Sequence, residues 1–238
     1  MGAHRPRHAA YSPSGMSLHM RPLRSTDEPE LRRVFRATIA LGHPVSRGTH
    51  FEAALRPYER LCLEWYLRAG REHACVLRDG DRVVGYALVC LEPEAFARWQ
   101  QRAGARFTAH VVPRLVARRY PASISRFYRL RLRDGWDMWR HPEHSIAGLP
   151  HAHLNATTTG GLPGRLLADH VDGVVAATGF ESWYGEMNAR AGRRAAALGR
   201  WGAEIVARRD NGTLTWLTGS PVERLTVLRH VSDRRIAA

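Results

Sequence analysis

HAHLNATTTGGLPGRLL, residues His151 to Leu167, starts as a strand over His151–Ala156. It then passes through a Thr/Gly loop and enters a helix at Gly164-Arg165-Leu166-Leu167. In a strand–loop–helix of this kind the loop amides and the first helical turn point at one spot, and the helix dipole adds partial positive charge there. Glycine lets the backbone approach a ligand that a Cβ would hold off. The pattern suits a pyrophosphate cradle. An ordinary glycine-rich helix entry fits the same residues, because short glycine motifs recur by chance. Along the strand, His151, His153 and Asn155 alternate onto one face.

Working outward, Glu181–Met187 reads as a strand and Arg190–Arg200 as a helix stopped near Gly202. Glu204–Arg208, Thr213–Thr218 and Glu223–His230 read as further strands. Upstream, Leu18–Leu23 is a strand, and Ser25-Thr26-Asp27 offers an N-cap to a helix over Glu30–Leu41. Leu31, Val34, Phe35 and Ile39 follow helical spacing there. Phe51–Ala69 is a second helix, with a break expected near Pro57. His73–Arg78 and Arg82–Glu92 flank Asp79-Gly80-Asp81, a strong hairpin signal.

Pro93–Leu149 differs in character. Phe96, Trp99, Ala103, Phe107, Val111 and Leu115 recur at helical spacing, and 11 arginines face four acids, net +7. The expected order is β-α-α-β-β-(insertion)-β-α-β-α-β-β, with one more strand admitted. That is a mixed sheet with helices on both faces, of the α/β (α+β) class. Residues 1–17 read as a disordered basic tail and 18–238 as a single domain, with its insertion at about 94–149.

Composition closes off several chemistries. The net charge is +14, and all 36 basic residues are arginine. Without lysine there is no P-loop nucleotide site and no Schiff base. Cys62, Cys75 and Cys90 are too far apart for a CxxC pair, and each sits among apolar neighbours. They read as reduced thiols of a cytoplasmic protein. No segment approaches the roughly 20 apolar residues of a membrane span. His141-x-x-His144 and His151-x-His153 lack clustered cysteines or spaced carboxylates, so no metal is expected.

Four stretches resemble the GNAT superfamily of acetyl-CoA-dependent acyltransferases. Met20-Arg21-Pro22-Leu23 with Asp27, Glu30 and Leu31 resembles the opening strand and helix, and Arg82–Val89 the third strand with its "VVG" entry. His153-Leu154-Asn155-Ala156 through Gly164 resembles the fourth strand and pyrophosphate loop. Asn188-Ala189-Arg190-Ala191 resembles the "N-x-x-A" that begins the fourth helix. The family loop, [Q/R]-x-x-G-x-[G/A], fits in two registers. Thr159 opens one, with Leu162 in place of the middle glycine and Gly164 last. Thr158 opens the other, with Gly161 in the middle and Pro163 last. Where the family's helix often carries a tyrosine acid, Ala195 and Leu198 stand here.

The resemblance implies a splayed central sheet, acetyl-CoA as acyl donor, and direct attack by an amine on the thioester. The main chain of Leu154, Asn155 and Ala156 would pair with the pantetheine arm as a surrogate strand. Thr159, Gly160, Gly161, Leu162, Gly164 and Arg165 would hold the pyrophosphate. Asn188 would hold the helix start or the pantetheine. Candidates for proton transfer are Glu186 through water, His153 as base and Tyr184 as acid. The insertion falls beside the expected site, so acceptor choice would live there. Phe127, Tyr128, Trp136 and Trp139 would either wall a pocket or pack an extra helical layer. The acceptor is expected to be a small-molecule or peptide amine, and the basic insertion suggests an acidic one. A homodimer stays open.

Two readings from other classes stand beside this one. Arg126–Arg133 (RFYRLRLR) with its interleaved aromatics suits a nucleic-acid-binding module, although no RRM, KH, zinc or helix-turn-helix signature accompanies it, so nucleic acid is not expected. A catalytically degenerate acyl-CoA-binding protein of the same fold is the other.

Overall fold

A computed structural model of the chain describes residues 17–39, 49–157, 161–190, 198–199 and 201–231. Most of the expected basic tail, and residues 191–197 of the expected helix Arg190–Arg200, lie outside them. Seven strands form one sheet: β1 (Leu18–Pro22), β2 (Cys75–Asp79), β3 (Arg82–Cys90), β4 (His151–Ala156), β5 (Ser182–Arg190), β6 (Ala203–Asp210) and β7 (Val222–His230). The α-helices that lie wholly among the described residues are α1 (Glu28–Thr38), α2 (Thr49–Arg68), α3 (Pro93–Val116), α4 (Ala122–Arg140), α5 (Gly161–Ala176) and α6 (Gly212–Thr218). The strand order is β1-β2-β3-β4-β5-β7-β6. Neighbours run antiparallel except β4 and β5, which are parallel.

β3 is buried at every position from Val83 to Cys90, as its unbroken apolar run demands of a strand covered on both faces. Its Val83, Tyr86, Leu88 and Cys90 pack under α1 and α2 with Leu31, Phe35, Leu63 and Tyr66. Val84, Ala87 and Val89 pack on the other face under α5 with Leu167, Val171 and Val175. The alternation slips between Val83 and Tyr86 because the β2–β3 register shifts there, a bulge. Gly85 sits in it, where a Cβ would come within 3.0 Å of Asn155 O.

The insertion is two helices, α3 and α4, joined to α2 and α6 through Leu55, Phe107, Val111, Ile124, Phe127 and Tyr128. Phe127 and Tyr128 thus serve packing. Trp136 and Trp139 lie on the outside of α4, 58% and 68% exposed, with ring centroids 4.9 Å apart. None of the four lines the cavity at β5 and β7 described below.

Three expectations are corrected here. Thr213–Thr218 is helix α6, not a strand. Asn211 Oδ1 accepts the Leu214 N–H at 3.0 Å and Gly219 closes the turn at φ 67°, so the two caps override the alternating Thr/Leu/Trp pattern. Pro57 lies inside α2 without ending it. Burial of Leu55, Leu63, Tyr66 and Leu67 outweighs the one backbone bond that proline removes. Asn188 does not begin a helix: β5 continues to Arg190, with Asn188 opposite Arg224 and Arg190 opposite Val222.

Candidate functional site

β4 and β5 touch at one end and part at the other. His151 pairs with Tyr184 and Ala152 with Gly185, and there the ladder stops. From His153 on, β4 pairs with β3 alone, and from Glu186 on, β5 pairs with β7 alone. Thr157 N–H donates to Val84 O at 2.8 Å, and in an antiparallel ladder the bonded pairs alternate. His153 and Asn155 therefore spend their main-chain bonds on β3. Leu154 and Ala156 aim N–H and C=O across the gap, where no strand among the described residues meets them. Asn155 is thereby removed as a main-chain contact to anything in the gap. Its side chain donates to Tyr86 Oη at 2.7 Å.

The loop residues divide. Thr159 and Gly160 lie outside the described residues. Gly161 is the first residue of α5, three earlier than the expected helix start, and Leu162 follows it, 56% exposed. Gly164 lies inside the helix. A Cβ there would meet Trp201 Cη2 at 2.6 Å, so its smallness serves a close contact with Trp201. Arg165, 60% exposed, reaches Asp169 at 3.7 Å along its own helix, which leaves the guanidinium in solvent.

On the face of the sheet that carries His151, a cavity of about 330 Å³ opens between β5, β7 and the end of the insertion. His151, Tyr184 and Glu186 line it from the sheet, Arg224 and Thr226 from β7, and Met138 and His141 from α4 and its end. Glu186 lies directly opposite Thr226, and its Oε2 is 3.7 Å from Arg224 Nη1. Arg224 also touches the Met138 sulfur. Burial works against the Arg224 charge, but Glu186, Tyr58, Asp134 and Cys62 together hold it above its ordinary value. Tyr184 meets His151 edge-on at 4.7 Å, and burial first, then Glu186 and Cys90, push its phenol up. It stays protonated and can donate.

His153 sits among aromatic rings rather than facing water. Its ring lies within 6.2 Å of Phe35, Tyr66 and Tyr86, Nδ1 is buried without a partner, and Nε2 is 3.3 Å from Asn155 Nδ2. Burial, with His151 adding, pulls its pKa down to about 3. An imidazole held that far below neutrality is a poor proton acceptor, so the base role is withdrawn. Burial lowers His151 to about 4. The cysteines are no nucleophiles either: burial pushes Cys62 and Cys75 up to about 11.

These imidazoles predict an acid-labile fold. In an unfolded chain both would titrate near 6.5, while folded His151 and His153 stay neutral to about 4 and 3. Between those values the unfolded chain binds the extra protons. Stability is complete above about pH 6.5 and falls as pH drops toward 4, by up to about 1.4 kcal/mol per pH unit for each histidine. Asp27 acts in a lower window. Its bond to Arg21 holds its carboxyl below the usual value, so that contribution is lost only below about pH 4. Urea unfolding between pH 7 and 4.5 should show the slope, and His153→Gln should flatten it. A flat profile in the native protein would contradict neutral burial.

Arg209, Arg224, Thr226 and Tyr66 were invisible as site residues in the sequence. Only the β5–β7–β6 register and the packing of α2 bring them to β4 and β5. Among the described residues, no three His, Cys, Asp or Glu side chains gather as a metal site, and no helix is long and apolar enough to cross a membrane. Phe127, Tyr128 and Arg131 of the run Arg126–Arg133 are buried, so its aromatics cannot stack on bases.

A sheet with one parallel pair at its centre, parted beyond Ala152 and Gly185 and flanked by α5, sets the class of fold. The fold of this chain is that of the GNAT acetyltransferases. Solved structures show it. SsHAT is similar at 21% identity over 91% of this chain and all of its own, TM-score 0.53. A Drosophila melanogaster polyamine N-acetyltransferase is similar at 15% identity over 90% of this chain and 99% of its own, TM-score 0.51. At such identities the likeness is one of fold. No family model and no curated protein matches the sequence.

Proposed function

We propose that the chain is an acetyl-CoA-dependent N-acetyltransferase acting on a small amine. The unpaired main chain of Leu154 and Ala156 carries this reading. A pantetheine arm is an extended chain with amide donors and acceptors, and it would satisfy both residues as an added strand. The pyrophosphate would lie toward the start of α5, with its free amides and positive dipole end. The amine acceptor would enter through the cavity beside Glu186. Attack on the thioester carbonyl forms the C–N bond and breaks the C–S bond. Glu186 takes the proton from the amine through water, and the Tyr184 phenol can return one to the leaving thiolate. Amine acetylation by the Drosophila enzyme with this fold, named as a polyamine N-acetyltransferase, supports a small amine as first choice.

Thermal unfolding with acetyl-CoA tests the reading. At 100 times its dissociation constant the ligand should stabilise the fold by about 2.7 kcal/mol, which is roughly 5–10 °C for a domain of this size. Release of free thiol across amine classes then identifies the acceptor. No shift with acetyl-CoA or CoA would remove the proposal. A shift without turnover for any amine would leave an acyl-CoA-binding protein.

A further inference from the structure

Tyr66 of α2 and His151 of β4 are joined by a hydrogen bond between the phenol oxygen and Nδ1. Tyr66 is 2% exposed. Phe96 stacks on the His151 ring at 5.3 Å and Tyr184 meets it edge-on, so the imidazole is gripped on three sides. One of the two groups must donate the shared proton. If Nδ1 donated, the Tyr66 O–H would be left buried with no acceptor, since His151 is its one hydrogen-bond partner among the described residues. Stranding a buried hydroxyl is unfavourable. The phenol therefore donates, Nδ1 accepts, and the ring proton sits on Nε2. His151 lines the cavity, and Nε2, unlike His153 Nδ1, is not a buried orphan. Nε2 is the ring's remaining polar atom, free to donate on the side of the ring away from Tyr66.

We propose that Tyr66 fixes His151 in the Nε2–H tautomer, so that His151 grips a hydrogen-bond-accepting oxygen on the amine acceptor. The preferred acceptors are then amines that also carry a hydroxyl, carbonyl or carboxylate oxygen. Glu186, in the same cavity, accepts a hydrogen bond from the ammonium. His151, a donor held neutral, meets the oxygen. Tyr66 acts through His151 and is a positioning residue. The choice of acceptor rests on the acetyltransferase reading, but the tautomer does not.

Two measurements separate them. In the full chain with 15N-labelled histidine, two-bond proton–nitrogen correlation, assigned by loss of the signal in His151→Gln, should show Nε2 protonated and Nδ1 bare. In Tyr66→Phe, which keeps the ring and loses the hydroxyl, the His151 signals should move toward a tautomer mixture. Nδ1–H in the native protein, or an unchanged spectrum in Tyr66→Phe, would overturn the proposal whether or not the enzyme turns over. In kinetics, Tyr66→Phe should raise KM for an oxygen-bearing amine by about tenfold, the worth of one oriented hydrogen bond, with a smaller change in kcat. KM for the analogue lacking the oxygen should not move. His151→Gln, whose amide nitrogen can replace Nε2, should retain more of the discrimination than His151→Leu. Equal KM changes for both amines would sink the oxygen-recognition role.

Discussion

Glu186→Gln lowers kcat by about a hundredfold to a thousandfold, the usual worth of a positioned general base, while the thermal shift with acetyl-CoA persists. The side chain lies on β5 where that strand has just left β4, one residue beyond the last paired glycine, and it faces the cavity on the His151 side. Glu143 also lines the cavity, from the end of the insertion, but Glu186 is the lining carboxylate that stands on β5 where the gap opens. Glutamine keeps the length and one oxygen for Arg224, but it cannot take a proton. The substitution has a cost beyond catalysis, because Arg224, its side chain 14% exposed, loses the counter-charge at 3.7 Å. A loss of about 1–3 kcal/mol of stability is expected, so kcat is compared at a temperature where both proteins are folded. The distinguishing pattern is a fall in kcat with acetyl-CoA binding intact. A kcat within twofold of the native value would assign Glu186 to binding the Arg224 guanidinium and leave the proton to water.

The strand His151–Ala156 was legible from sequence to the residue. Its histidines and asparagine alternate with apolar residues, and a Thr/Gly run ends it. β3 was legible because only a strand covered on both faces tolerates a run such as VVGYALVC. The β4–β5 gap itself followed from resemblance, since nothing in either strand's composition says where a ladder stops. Glu186 was singled out because it sits near the end of the strand that follows the loop helix. Its partners Arg224 and Thr226 were not, because they come from a strand almost 40 residues away whose register no local pattern records. His153 was misjudged for the same reason. Its spacing placed it on the right face, but Phe35, Tyr66 and Tyr86, which strip its charge, arrive from three other elements. Helix α6 was misread because the Thr/Leu/Trp alternation was weighed without Asn211 and Gly219, the residues that cap it.

Arg131→Met should destabilise the protein by about 3–5 kcal/mol, the range for breaking one side of a buried charge pair. For a chain of this length that is a fall in Tm of roughly 10 °C. Arg131 is 8% exposed and lies in α4, inside the insertion. Its guanidinium donates to Thr213 Oγ1 at 2.8 Å, Tyr58 Oη at 2.6 Å, Asp134 Oδ2 at 2.9 Å and Asn211 Oδ1 at 2.8 Å, and it lies over the Tyr58 ring. α2, α4 and the start of α6 therefore converge on one side chain. Asn211 passes the connection on, its Nδ2 donating to Asn188 Oδ1 at 2.8 Å on β5. Methionine fills the volume but returns none of these bonds, and it strands Asp134 as an uncompensated carboxylate. That residue cannot simply be deleted, because it also accepts the Gly212 and Thr213 N–H groups that begin α6. Asp134→Asn keeps an oxygen there and removes the charge. The double variant Arg131→Met/Asp134→Asn should therefore recover about 1–2 kcal/mol relative to Arg131→Met alone. Urea unfolding of the four proteins measures the cycle. Additive losses would show that the guanidinium contributes through its packed stem, and that the ion pair between α4 and the cap of α6 adds nothing of its own.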